Sequence, residues 1–193
     1  MRAALRGESG MQVPCGDCRG CCISGYAIQV RPGDLGAKAH IPDRHLVLHG
    51  ATAHMPPLPD GRCPMAIPEG CAIYAHRPQT CLDYDCRVFT AAGIEAGDAG
   101  KAVINTRVRA WRFSYLNDEA RRQHAAVREA ATFMRAQPQA FPEGRAPLNP
   151  MSVAVFAVKC YPLFLQPGAR EWPPRELAEA ILHAAREFDS GAG

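Results

Sequence analysis

The chain lacks a long apolar run. Its longest uninterrupted apolar stretch, residues 153–158, is far shorter than the roughly 18 residues that suggest a membrane-spanning helix. Residues 1–14 carry two arginines and a glutamate but no apolar core of the length that a secretory signal needs. We therefore expect a cytoplasmic protein with no membrane partner, in which free thiols stay reduced.

The chain also lacks a large excess of either positive or negative residues. The chain has 22 Lys and Arg residues against 19 Asp and Glu, a formal net charge of +3. Such a balance creates no strong overall field, so we expect no nucleic-acid partner. No internal repeat and no glycine-rich cofactor loop is visible, while 47% hydrophobic and 21% charged residues are ordinary for a globular protein and exclude wholesale disorder.

Cysteine, by contrast, is abundant and clustered. Eight of the nine cysteines form two groups, C-x2-C-x2-C-C and C-x7-C-x9-C-x4-C, with 40 residues between them: Cys15, Cys18, Cys21 and Cys22, then Cys63, Cys71, Cys81 and Cys86. Thiolates are soft ligands suited to zinc and to iron–sulfur clusters, and C-x2-C turns bring two sulfurs onto one ion. The pattern predicts metal binding through all eight, with a disulfide framework as the alternative.

The adjacent pair Cys21 and Cys22 bears on the number of sites. Neighbouring side chains of an extended segment point in opposite directions, and two vertices of one tetrahedron are awkward for neighbours even in a turn. We therefore expect two four-cysteine sites, each drawing on both groups; the alternative is one such site with spare thiols. Two four-thiolate sites would bring the formal charge from +3 to about −1.

The spacing leaves the metal open. The run C-x2-C-x2-C is similar to the one that holds a four-iron cluster in bacterial ferredoxins, and Cys63-Pro64 matches the Cys-Pro that often supplies a remote ligand. The turn from Cys15 to Cys18, with Gly20 just before Cys21, would serve equally as a zinc knuckle. The predicted cofactor is an iron–sulfur cluster or zinc.

Together these residues resemble a known family. The motif of residues 15–22, then Cys63-Pro64, then Cys71 to Cys81 with Arg77-Pro78 inside it, then Cys86, resembles the CxxCxxCC (YkgJ-like) bacterial family, described as a zinc- or iron-chelating domain. The resemblance covers roughly residues 12–90 and implies metal chelation. The family usually has a basic residue where this chain has Leu82. A similar cluster occurs in longer bacterial flagellin lysine methylases.

Two functions follow as expectations, and neither settles whether the chain is an enzyme. In the first, the bound metal transfers electrons or assists a redox or methyl-transfer reaction together with a redox partner. In the second, closed zinc sites stabilise a module that binds another protein without catalysis. Arg77 could donate charge-assisted hydrogen bonds to the metal-bound thiolates; otherwise it is a surface arginine before a turn.

Weaker patterns have simpler explanations. Five histidines lie between or near the cysteine groups, and His45 and His49 would share a helix face, but without an H-E-x-x-H motif we expect structural or exposed side chains: His40, His45, His49, His54 and His76. Residues 107–115 alternate arginines with aromatic residues, as single-strand binders do, yet we expect a core face. We expect the lone Cys160 to be buried and inert.

The predicted fold class is α+β. Residues 12–95 should form a small, cysteine-rich, loop-rich module stapled by metal, and residues 101–190 a mixed helix and strand extension packed on it. We predict strands over residues 23–30, 103–116 and 151–160, the last with a buried helix as the alternative. Helices are predicted over residues 34–39, 42–49, 117–136 and 174–188.

Overall fold

The structure, a computed structural model, describes residues 18–191. Its contacts divide this part of the chain into two compact units. Residues 18–85 and 97–107 form one, here called the cysteine unit; residues 86–96 and 108–191 form the other, called the helical unit. The mixture of helices with a few short strands confirms the α+β class. Cys15 lies outside the described residues.

The cysteine unit is built on a small antiparallel sheet. Its elements are β1 (Ile28–Val30), α1 (Leu35–His40), β2 (Val47–His49), β3 (Thr52–Met55), the hairpin of β4 (Ala66–Ile67) and β5 (Gly70–Cys71), and α2 (Gln79–Asp83). β3 is the central strand, between β1 and β2. It alternates in burial, with Ala53 and Met55 inward, and Met55 pairs with Ile28 while Ala53 pairs with Val30. These inward residues join a core that also contains Ala37, Ile41, Met65 and Ile73.

Asp34 connects the start of α1 to α2. Helix α1 is found where the sequence predicted it, but the Asp34 side chain does not cap it. One carboxylate oxygen instead accepts from the Arg31 amide at 2.7 Å, and the other from the Gln79 amide at 2.9 Å. The hydroxyl of Thr80 also donates to the carbonyl of Gln29, at 2.8 Å. These bonds hold the short helix that carries Cys81 against the end of β1.

The helical unit packs its helices around one apolar helix. Its elements are α3 (Arg87–Ala92), the last turn of α4 (Ala102–Ala110), α5 (Asp118–Ala136), α6 (Pro150–Phe164) and α7 (Pro174–Ser190). α6 packs on α3, α5 and α7, and small buried residues such as Ala131, Ala154 and Ala178 let the helices approach closely. Asn117 caps α5 by accepting from the Ala120 amide at 2.8 Å, as predicted. α7 buries the predicted apolar stripe.

Three predicted elements are wrong. Residues 103–116 were expected as one strand, but α4 occupies the first part and residues 111–115 form no ladder. The apolar run 151–160 is the helix α6, the stated alternative. The expected helix over residues 42–49 is a 3-10 turn, Asp43–His45, followed by β2, so His45 and His49 share no helix face. The strand expected over 23–30 is limited to β1.

None of the helices in residues 18–191 combines the length and the apolar composition that crossing a membrane requires.

Candidate metal centre

Cys21 and Cys22 lie on a tight turn. A 3-10 helix runs over Gly20–Ile23, and the Cys22 amide donates to the Arg19 carbonyl at 2.9 Å. Gly20 is buried there, where an added Cβ would be 3.1 Å from the Ile104 side chain. The turn places the two sulfurs 3.9 Å apart, within hydrogen-bonding contact. The premise that these neighbouring side chains diverge is therefore wrong; the two-site arrangement built on it stays a prediction.

The second cysteine group approaches this turn through Cys63. The Cys63 amide donates to the Cys22 carbonyl at 2.7 Å, which fixes the two backbones side by side. The Ala66 amide donates to the Cys63 carbonyl at 2.9 Å, which forms a turn after this cysteine. The nearby amides of Met65 and Ala66 oppose the rise in the pKa of Cys63. Cys63 and Cys71 also pack against the apolar core of the unit.

Cys71 and Cys81 complete the group. Cys71 ends β5 and pairs with Ala66 across the hairpin. Cys81 lies in α2, and its amide donates to the Pro78 carbonyl at 2.9 Å. Both thiols are half-buried, as are Cys18, Cys21, Cys22 and Cys63.

The thiols of Cys22, Cys63, Cys71 and Cys81 interact electrostatically. Burial raises the pKa of Cys63 and of Cys71, and the charge on Cys22 raises each further. Burial also raises the pKa of Cys81 to about 12, with the charges of the other three adding to it. The hydrogen bond from Cys21 does the opposite for Cys22 and lowers its pKa to about 7 despite burial. In the metal-free protein at pH 7, about half of the Cys22 thiol is therefore ionised, and the thiols of Cys63, Cys71 and Cys81 stay protonated.

Two arginines supply positive charge to these sulfurs. The charge of Arg77 lowers the pKa of Cys22, of Cys71 and of Cys81. Its hydrogen bonds to metal-bound thiolates stay a prediction. Its guanidinium is held by the Tyr74 carbonyl, 2.9 Å from Nε, and lies 3.7 Å from the Tyr74 ring centre. Arg19 also lowers the pKa of Cys22.

Sequence reasoning missed Arg19 and Lys101. The Arg19 guanidinium donates to the carbonyls of Ile67 and Pro68, and thereby ties the cysteine turn to the β4–β5 hairpin. Its position inside the C-x2-C-x2-C run was the available signal. Lys101 donates to the Ser24 carbonyl and lies 3.8 Å from the Tyr26 ring centre; nothing in its local sequence indicates this contact.

Three other described cysteines, Cys18, Cys86 and Cys160, are not among these four interacting thiols. Cys18 is half-buried just before the turn. Cys86 belongs to the helical unit, where it is buried and accepts a hydrogen bond from the Trp111 indole at 3.4 Å. Cys160 is fully buried in α6, as expected of a lone apolar cysteine. None of the eight cysteines in residues 18–191 forms a disulfide.

The histidines form stacked pairs. The rings of His40 and His76 are 3.9 Å apart and nearly parallel, and those of His49 and His54 are 4.7 Å apart. His40 Nδ1 is 2.7 Å from the Gly36 carbonyl, so one of its nitrogens is already engaged. Among residues 18–191, no group of three or more His, Cys, Asp or Glu side chains lies close enough together to hold a metal ion.

The cysteine set nevertheless fits a thiolate-bound metal chemically. Zinc–sulfur bonds of about 2.3 Å in a tetrahedron give a sulfur–sulfur edge of about 3.8 Å, close to the 3.9 Å between Cys21 and Cys22. A bound metal would have to bring the sulfurs of Cys22, Cys63, Cys71 and Cys81 closer together than they lie in the protein alone.

Comparison with family models, with curated proteins and with solved structures finds no match for this chain.

Proposed function

We propose that the chain is a metal-chelating protein, with an iron–sulfur cluster or zinc held by its clustered cysteines. The first ligand set is the thiols of Cys22, Cys63, Cys71 and Cys81, whose charges act on one another. Cys21 lies at ligand distance from the Cys22 sulfur and can replace or assist it. The other predicted ligands, Cys15, Cys18 and Cys86, remain predicted ligands without an assigned site.

The observation that carries the proposal is the meeting of the two cysteine groups in one part of the cysteine unit. The Cys63 amide donates to the Cys22 carbonyl at 2.7 Å, and the sulfurs of Cys21 and Cys22 lie 3.9 Å apart. The thiols of Cys22, Cys63, Cys71 and Cys81 are then near enough for their charges to act on one another. Zinc and iron–sulfur clusters require such a group of thiolate ligands.

The electrostatics support the same proposal. Burial first, and then the like charges of the three neighbouring thiols, raise the pKa of Cys81 to about 12, because no cation is present to balance a thiolate there. A divalent ion or a cluster with a positive core replaces the thiol protons and turns the repulsion into attraction. Arg77 offsets part of the remaining negative charge, since it acts on three of the four sulfurs.

A structural zinc role for binding another protein is the second candidate, and the packing of two ligands favours it. Cys63 and Cys71 lie against the core that contains Met65 and Ile73. Fixing their sulfurs on a closed zinc site would fix this core, as in small zinc modules. Electron transfer, or assistance to a redox or methyl-transfer reaction, requires instead a cluster whose charge can change.

Metal analysis of protein purified without air tests the proposal. We expect stoichiometric iron with acid-labile sulfide, or stoichiometric zinc without sulfide, and the first result favours the redox role while the second favours the structural one. Serine at Cys63 or Cys81 should lower the metal content of the first site by half or more. Cys160→Ala, which changes a buried cysteine of the helical unit, is the matched control and should keep full metal content.

Wild-type protein without stoichiometric metal, from cells supplied with both iron and zinc, would contradict the proposal. So would Cys63→Ser and Cys81→Ser variants that fold and retain all of the wild-type metal.

A further inference from the structure

The helical unit contains an open cavity of about 430 Å³. It lies where the end of α3 and the loop after it meet the end of α4, residues 111–115 and the first half of α5. All of its lining residues belong to the helical unit. This surface is here called the aromatic cavity, because three aromatic side chains and an imidazole form one side of it.

The aromatic wall is built from residues 111–115, a segment outside the helices and strands in which burial alternates. Trp111, Phe113 and Tyr115 are half-buried and line the cavity, while the side chains between them are exposed. The Phe113 ring meets the His124 imidazole edge to face, with ring centres 5.0 Å apart. The Tyr115 hydroxyl lies 2.5 Å from His124 Nδ1. One imidazole therefore positions two of the three aromatic rings.

The protonation of His124 follows from its partners. Its Nε2 lies 3.1 Å from the Ala91 carbonyl, which can only accept, so Nε2 carries a proton. Burial, together with the charge of Arg128, lowers the pKa of His124, so the ring is neutral at pH 7. Nδ1 then accepts from the Tyr115 hydroxyl. The wall is thus preorganised and carries no charge of its own.

The residues that line the cavity carry more positive than negative charge. The one acidic lining residue, Glu95, is already paired with Arg109, whose Nε and Nη2 lie 2.8 and 2.5 Å from one carboxylate oxygen. Arg112 donates to backbone carbonyls, including that of Trp111 at 2.9 Å. The Arg128 guanidinium lies against Gly93, where an added Cβ would be 2.8 Å from Nε. Within residues 18–191, neither Arg112 nor Arg128 forms an ion pair with a carboxylate.

We propose that the aromatic cavity binds a small planar aromatic anion, a ring of one or two cycles that carries a carboxylate or a phosphate. The flat ring would pack on the wall of Trp111, Phe113 and Tyr115. Its anionic group would reach Arg112 and Arg128, because a guanidinium matches the geometry of either anion with two parallel hydrogen bonds. A cavity of about 430 Å³ is within the usual size of small-molecule sites. The proposal does not rest on metal binding, although the Trp111 indole donates to Cys86, a predicted metal ligand.

Titration of the metal-loaded full chain with phenyl phosphate and with benzoate tests the proposal. The chain has two tryptophans, so Trp172→Phe leaves Trp111 as the single fluorescent reporter. We expect saturable one-to-one binding of at least one acid by calorimetry, together with a change in Trp111 emission. The comparison of the two acids identifies the anionic group. Benzyl alcohol, which lacks the charge, and inorganic phosphate, which lacks the ring, should each bind at least about tenfold more weakly.

Paired variants locate the binding. Arg128→Gln should weaken binding about tenfold or more, because it removes a charge-assisted contact. Arg135→Gln, on the same helix but outside the cavity lining, should leave the affinity unchanged. Arg112→Gln takes the place of Arg128→Gln if that variant does not fold. The proposal is overturned if neither acid binds saturably, if the arginine variants bind like wild type, or if benzyl alcohol binds as tightly as the acids.

Discussion

Replacing Cys21 with alanine should slow the alkylation of Cys22 in metal-free, reduced protein. The Cys22 pKa is about 7 instead of the ordinary 9.0, and the hydrogen bond from Cys21 is the largest cause. At pH 7, about half of Cys22 is therefore thiolate, against about one molecule in a hundred for an ordinary thiol. Loss of the whole shift would slow the reaction about fiftyfold.

The expected effect is smaller than that limit. Arg77 and Arg19 remain in the variant and still lower the pKa of Cys22. Solvent also screens a half-exposed group, so we expect a five- to tenfold slower reaction, roughly half of the full shift. Iodoacetamide labelling at pH 7, read peptide by peptide by mass spectrometry, measures the rate at Cys22. Cys160→Ala is the control, because this buried thiol lies in the helical unit.

The pH dependence gives a second measure of the same interaction. A thiol whose pKa is depressed in the folded protein contributes stability that is lost as the pH falls through the folded value. For Cys22 the free energy of unfolding should therefore rise between pH 7 and 9. Cys81, with its pKa raised to about 12, lowers stability only above pH 9. Alkylation of Cys22 no faster than that of Cys81 at pH 7, or an unchanged rate in Cys21→Ala, would refute the reasoning.

Three further predictions concern stability and folding. Gly93→Ala should cost about 1–2 kcal/mol in urea unfolding because φ is +70° and Arg128 must move, whereas Gly144→Ala, at φ +67° with open space around it, should cost less; equal costs would contradict the packing. His124 has a lowered folded pKa, so stability should fall as the pH drops below 6.5 and this dependence should weaken in His124→Asn; an unchanged slope would contradict the assignment. Chelation should lower hydrogen-exchange protection in residues 18–85 more than in α5 and α7, and unchanged protection in residues 18–85 would show that the metal does not stabilise this region.

The helices that could be predicted from sequence are those with capping residues and an amphipathic pattern. Asn117 followed by acidic residues indicated α5, and the helical spacing of apolar residues from Leu177 to Phe188 indicated α7. α6 was expected as a strand because residues 153–158 are all apolar, which hides any helical period. α4 is rich in β-branched residues, which favour strands, and packing in the folded protein overrides this preference.

The candidate site was predictable in composition but not in geometry. Clustered cysteines and Arg77-Pro78 identified the residue types that a thiolate site needs. The approach of Cys22 to Cys63 depends on a backbone bond across 40 intervening residues, which no local pattern encodes. The divergence expected of Cys21 and Cys22 assumed extended backbone, whereas a 3-10 turn brings their sulfurs together. Arg19 acts through a contact with the β4–β5 hairpin that only the fold reveals.

X-ray absorption at the metal edge, on protein purified without air, tests the central claim most directly. The account predicts stoichiometric iron or zinc with about four sulfur neighbours at about 2.3 Å. A Cys63→Ser variant should show fewer sulfur neighbours per chain, and Cys160→Ala should give the wild-type spectrum. A first shell of nitrogen and oxygen, or a sulfur shell that is unchanged when Cys63 is replaced, would contradict metal binding through these thiols.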